Sequence, residues 1–266
     1  MGGRKHLRWR LGADAAPLGL VTVDGVRLCA THLPHVAGRA DVAVVLAHGF
    51  SGRHTGPWQA RLARRLSAYG GVVAFDFRGH GRSGGVSTLG ELEVLDVDAA
   101  VAGARELGYA AVVTCGWSMG GSAVLRQAAL HGGVDAVVSV SATSRWGVRD
   151  TASMRRLHWL VERPLGRRVS RHVLRTRLVD AWADMPESPV EVVGRIDPTP
   201  LLVVHGDRDR YFGIDHARAL AAAAGPAVEI WEVAGFAHAE SGATPELVDR
   251  IGRHLPTLLA AGAALA

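Results

Sequence analysis

Lysine is almost missing from this chain. Lys5 is the only one, so arginine carries nearly all of the positive charge, and the formal net charge is +5. An excess of that sign can mark a nucleic-acid partner. No lysine-arginine tract and no aromatic-basic stripe accompanies it, so no nucleic-acid partner is expected. With abundant alanine, glycine and valine beside it, the arginine reads as a GC-rich coding bias. Cysteine is scarce too. Cys29 and Cys115 are the only two, each inside an apolar, strand-like run. They make no disulfide framework and read as small buried hydrophobes in a reducing compartment. No run of about eighteen apolar residues occurs, so no membrane span is expected. The basic stretch Met1–Arg10 is not followed by an apolar segment, which argues against a signal peptide and for a cytoplasmic location. Internal repeats and polar low-complexity segments are lacking. So is any H-E-x-x-H or paired-ligand motif, and no metal or cofactor is expected.

What is present suits one large α/β domain: 266 residues, 48% of them hydrophobic. Leu20–Val23 and Val26–His32 flank Asp24-Gly25 and predict a hairpin with a type I′ turn. Val42–Ala47 and Gly71–Phe77 are apolar runs of buried-strand type. Between them Pro57–Tyr69 has helical spacing, with Trp58, Leu62 and Leu66 on one face. A helical pattern covers Leu89–Leu107. The run Ala111–Thr114 and the helical stretch Ala123–Leu130 flank Cys115-Gly116-Trp117-Ser118-Met119-Gly120-Gly121-Ser122. Val134–Val140 is a further strand. From Ser144 to Arg195 no strand-like run appears, and apolar residues fall at loosely helical spacing. Strand, helix, strand and helix then follow over Pro198–His205, Ala217–Ala224, Val228–Val233 and Glu246–Ala260. Alternation on both sides of the insertion predicts a mostly parallel sheet with helices on both faces.

The G-x-S-x-G around Ser118, between strand and helix, is the context of a nucleophile elbow. A side chain at Gly116 or Gly120 would crowd the turn. A serine hydroxyl needs a base, and the base an orienting acid. His205-Gly206-Asp207-Arg208-Asp209 and Ala234-Gly235-Phe236-Ala237-His238 follow later strands, so a parallel sheet puts Ser118, an aspartate and His238 at one edge. Either Asp207 or Asp209 could be the acid. His48, His80 and His205 read as structural, with His48 ordering its own loop. His54 and His216 read as surface residues. Gly79 and Gly81 form no G-x-G-x-x-G opening a helix, which disfavours a dinucleotide site.

Five motifs in this order resemble the α/β-hydrolase superfamily, specifically its small cap-bearing serine hydrolases. They are His48-Gly49-Phe50, Asp76-x-Arg78-Gly79-x-Gly81-x-Ser83, Gly116-x-Ser118-x-Gly120, Gly206-x-x-Asp209 and Gly235-x-x-His238. The resemblance runs from about Leu20 to the end. It implies an α/β-hydrolase fold, with a core of residues 1–143 and 196–266 and a helical cap of residues 144–195. It implies Ser118 as nucleophile, His238 as base and Asp209 as acid, with the Phe50 and Met119 N–H groups as oxyanion donors. It implies hydrolysis of a small-molecule ester, thioester or related acyl substrate through an acyl-enzyme, without a cofactor. A serine at 118 argues against the haloalkane dehalogenases and epoxide hydrolases of this fold, which use aspartate there. A cofactor-free haloperoxidase or perhydrolase, an acyltransferase, and a slow ligand-binding member of the fold stay open. In the cap, Trp146, Trp159 and Trp182 either line an acyl pocket or pack the cap onto the sheet. The cap arginines, among them Arg145, Arg149, Arg155, Arg167, Arg171 and Arg177, either steer an anionic substrate or form a solvated face.

Overall fold

A computed structural model describes residues 11–265 except 13, 39–40 and 181–184. Met1–Arg10 and Trp182 therefore lie outside the described residues. Eight strands form one sheet: β1 (Ala16–Val21), β2 (Arg27–Leu33), β3 (Val42–Ala47), β4 (Gly71–Phe75), β5 (Ala111–Trp117), β6 (Ala136–Val140), β7 (Leu201–Gly206) and β8 (Val228–Val233). Their order is β1-β2-β4-β3-β5-β6-β7-β8. β2 runs antiparallel to both neighbours, and β3 to β8 pair in parallel. β4, β6 and β7 are buried along their whole length, as apolar runs covered on both faces require.

Successive residues of a strand face opposite sides, and two cores result. Ala43, Val45 and Ala47 pack with α2 (Glu93–Glu106), α3 (Met119–Leu130) and α7 (Ile214–Ala223). Val44 and Leu46 pack on the other side with α1 (Pro57–Leu66) and α9 (Pro245–Leu265). Further helices are α4 (Ala152–Glu162), α5 (Pro164–His172), α6 (Pro189–Val192), which runs into a 3-10 turn over Val193–Ile196, and α8 (Ala239–Gly242). Among the described residues no helix is long and apolar enough to cross a membrane.

Several local expectations change. The hairpin is present, but its tip is not type I′, because only Gly25 of the Asp-Gly pair has positive φ. Gly25 N donates to Thr22 O at 2.9 Å and Val26 N to Thr22 Oγ1 at 2.9 Å. Asp24 is drawn instead to Arg78, whose Nη1 donates to it at 2.8 Å. α1 ends at Leu66, and Trp58 leaves the buried face: Leu62 and Leu66 are buried, whereas Trp58 is 46% exposed. Eight residues of helix turn Trp58 about 80° away from Leu66. α2 starts late, at Glu93. Leu89 and Gly90 both have positive φ, and the Glu93 carboxylate takes up Thr88 N at 2.9 Å and Gly90 N at 2.7 Å.

The segment between β6 and β7 is not helical throughout. Its stretch around Arg177 lies extended on the loop after β4. Arg177 N donates to Gly79 O and Ser87 N to Arg177 O, each at 2.8 Å. At its end Val192, Val193 and Ile196 are buried in the sheet domain.

Candidate active site

β5 delivers Ser118 at the carboxyl edge of the sheet, with φ 54° and ψ −117°. A non-glycine residue with positive φ is strained, and it persists only where its surroundings enforce it. Here they do. A Cβ on Gly116 would lie 2.1 Å from Gly120 O, and one on Gly120 would lie 2.5 Å from Ala47 O. Both glycines are steric requirements of the turn.

Two later strand ends bring the partners. His238 Nε2 lies 2.9 Å from Ser118 Oγ. His238 Nδ1 lies 2.7 Å from Asp209 Oδ2. The other Asp209 oxygen accepts the N–H groups of Tyr211 at 2.8 Å and Phe212 at 3.2 Å. Burial alone would push the Asp209 carboxyl up. The His238 hydrogen bond and charge and those two amides outweigh it and hold the carboxyl below the ordinary aspartate value. An ionised Asp209 accepts from Nδ1–H, so Nε2 presents its lone pair to the serine hydroxyl. Tyr211 stacks obliquely on the imidazole at 4.3 Å between centroids. Asp207 is turned elsewhere, taking Gly235 N at 2.6 Å. Geometry therefore gives His238 to Asp209.

The loop after β3 lies across the same edge. His48 is buried, receives Phe77 N on Nε2 at 3.1 Å and lies 2.7 Å from Gly49 O through Nδ1. Burial, then the charge of His80, pushes its pKa down to about 3, so it stays neutral and ties the loop to the end of β4. Met119 opens α3, so its N–H has no partner within the helix. Among the described residues the Phe50 N–H meets no acceptor. Phe50, Met119 and Ser118 border one cavity.

A family model for the alpha/beta hydrolase family matches residues 44–251. The chain belongs to the alpha/beta hydrolase family. No curated protein matches it significantly. Solved structures share the fold. The Pyrococcus furiosus esterase Pf2001 superposes with a TM-score of 0.72 at 22% identity, covering 94% of this chain and 95% of that one. Est1E from Butyrivibrio proteoclasticus, solved with ferulic acid bound, gives 0.63 at 18% identity, covering 91% and 99%. XC6422 from Xanthomonas campestris, described as a serine hydrolase without a lid, gives 0.61 at 18% identity, covering 93% and 94%.

Two histidines of this hydrolase are misread from sequence. His54 and His216 are not surface residues: they are 1% and 2% exposed. His54 donates from its backbone N and approaches through Nδ1 the same oxygen of Asp76, both at 2.7 Å. That locks the loop after β3 to the loop after β4. His216 lies on the inner side of α7 and takes Ser144 N on Nδ1 at 3.0 Å. Burial there is decided by distant hydrogen-bond partners, which composition does not announce. Cys29 joins His54 and Asp76 in a cluster whose candidate ligand atoms lie within 4.8 Å of one another. Asp76 Oδ1 already serves His54, and Oδ2 accepts Arg82 N at 3.1 Å.

Sequence reasoning also passed over Glu240. Its carboxylate accepts Gly49 N at 2.6 Å and so joins the histidine loop to the loop after β3. A Cβ on Gly49 would lie 3.1 Å from Glu240 Oε2 and 3.2 Å from Ser118 Cβ, so that carboxylate borders Ser118. Its position two residues beyond His238 was the only signal. Burial pushes the Glu240 carboxyl above the ordinary glutamate value. A raised folded pKa favours the fold while the group is protonated, and that contribution is lost as pH rises through it. Glu240→Gln should therefore gain melting temperature over the wild type at pH 8 and not at pH 4, read by thermal unfolding. Glu240→Ala, which removes the acceptor for Gly49, should lower kcat by about tenfold.

Two cavities meet at Ser118. One, of ≈ 120 Å³, is apolar and lies beneath α4, walled by Trp146, Met154, Leu157 and Val161. The other, of ≈ 440 Å³, is more polar and runs along the start of α1. Trp159 faces outward instead, 49% exposed.

Proposed function

We propose that the protein is a serine hydrolase that cleaves a small carboxylic ester through an acyl-enzyme. The observation that carries this reading is the unbroken hydrogen-bonded series Ser118–His238–Asp209 at one sheet edge. Ser118 attacks the ester carbonyl as His238 Nε2 takes its proton. Asp209 holds the tautomer and stabilises the imidazolium. The tetrahedral oxyanion is received by the N–H groups of Phe50 and Met119. The imidazolium protonates the departing alkoxide. Water, deprotonated by the same nitrogen, then releases the acid.

Helices α4 and α5 act as a cap, and the apolar cavity beneath α4 takes the acyl chain. Packing of Val192, Val193 and Ile196 in the sheet core supports ending the cap before α6. A cavity of ≈ 120 Å³ is a little smaller than one of about 150 Å³ that holds benzene. Among p-nitrophenyl esters, kcat/KM should peak at acyl chains of about four to six carbons and fall by about tenfold at ten. Absence of turnover with every ester of the series would overturn the reading.

A further inference from the structure

Helices α4 and α5 carry surface that the acyl chemistry leaves unused. On α4, Met154, Leu157 and Val161 turn inward and wall the apolar cavity. Ala152, Arg155, Arg156 and Trp159 line a separate groove on the outer side of the same helix. Their spacing of three, four and seven residues puts them on one face. On α5, Gly166 and Ser170 are buried, and Leu165, Arg168 and Arg171 face out. Large apolar side chains lie open beside these arginines: Trp159 is 49% exposed, Leu165 61% and Val173 71%.

The charge there is of one sign. Arg155, Arg156, Arg163, Arg168, Arg171 and Arg175 are all exposed. Among the described residues none of the six forms an ion pair, because the acids nearby are engaged by other arginines. Asp150 lies 3.7 Å from Arg145, Glu162 2.6 Å from Arg149 and Asp180 3.5 Å from Arg167. A second copy meeting this face across a two-fold axis would set arginines against arginines. A nucleic acid would match the charge, but it stacks its bases on aromatic rings, which Leu165 and Val173 do not offer. An anionic bilayer matches both features. Its phosphate groups suit the arginine fork, and the acyl boundary below them accepts tryptophan and aliphatic side chains.

We infer that the outer face of α4 and α5 docks on a bilayer of anionic phospholipid, with Trp159, Leu165 and Val173 seated among the headgroups and the six arginines on the phosphates. Docking there uses neither Ser118, His238 nor Asp209. Vesicle binding is read without turnover and so stands or falls apart from the hydrolase reading.

The test floats the full chain with vesicles of phosphatidylcholine, alone or with about 30% phosphatidylglycerol, in about 0.1 M salt. The anionic lipid should raise the partition coefficient by about tenfold or more, and about 0.5 M salt should reverse most of that gain. Arg168→Gln with Arg171→Gln should lower it by about 25-fold, about fivefold for each arginine lost. Trp159→Ala should lower it by about tenfold. Each of these side chains is exposed, so melting temperatures should stay close to that of the wild type. Arg64→Gln with Arg253→Gln removes the same charge from exposed positions elsewhere and should change partition by no more than about threefold. Binding that ignores the anionic lipid, or equal losses in the two double variants, would overturn the inference. So would wild-type partition in Trp159→Ala, which would leave charge alone as the attraction. Duplex DNA bound more tightly than the vesicles, or a dimer lost in Arg168→Gln with Arg171→Gln, would give the face to another partner and overturn it as well.

Discussion

Replacing Ser118 by alanine should lower kcat for the preferred p-nitrophenyl ester by about 10⁶-fold, the loss seen when the nucleophile of such a triad is removed. The reason is local. With Oγ absent, His238 Nε2 has no hydroxyl to deprotonate at 2.9 Å, and no acyl-enzyme can form. KM should change little, because the two cavities that meet at Ser118 keep their other walls. The melting temperature should stay close to that of the wild type. Alanine takes the same positive φ as serine, and the strain of the elbow is set by Gly116 and Gly120, not by the hydroxyl. Steady-state kinetics and a thermal unfolding curve on the same preparation separate loss of chemistry from loss of fold.

Asp209→Asn should lower kcat by about 10⁴-fold near neutral pH, a magnitude taken from the same substitution in a known serine triad. An asparagine amide directed at Nδ1 would donate where the carboxylate accepts. The imidazole would then carry its proton on Nε2, facing Ser118 with a donor and not a lone pair. The folded carboxyl is also depressed, so it contributes stability that is present above the ordinary aspartate value and is lost as pH falls through its own. Asp207→Asn is the control. Its oxygen can still accept Gly235 N, and His238 does not touch it, so kcat should remain within about threefold of the wild type. Equal losses in the two variants would contradict the assignment of the acid.

Those two aspartates show what a sequence can and cannot carry. Asp207 and Asp209 both follow β7, and only the turn geometry, with Tyr211 and Phe212 donating into Asp209, decides which reaches His238. The parallel sheet and its helical cover were legible because buried strands and amphipathic helices write their periods into local sequence. The elbow was legible for a similar reason: its glycines answer to steric contacts within a few residues and with the end of β3. Long-range pairings were not. His54 is buried by Asp76 and His216 by Ser144, each partner far away in the chain. Glu240 finds Gly49 across 191 positions. Trp58 carried the periodicity of a core residue, yet it lies at the helix end beyond the sheet, where the core stops and the polar cavity begins. The hairpin tip misled for the same reason, since Arg78 recruits Asp24 from a loop that local turn rules do not see.

The central claim is that Ser118 is an activated nucleophile. Incubation with a fluorophosphonate, followed by intact mass and peptide mapping, tests it most directly. The account predicts one phosphonyl group per chain, located on Ser118, absent from Ser118→Ala and formed far more slowly in Asp209→Asn. An unmodified wild-type chain, or a label carried equally by Ser118→Ala, would contradict it.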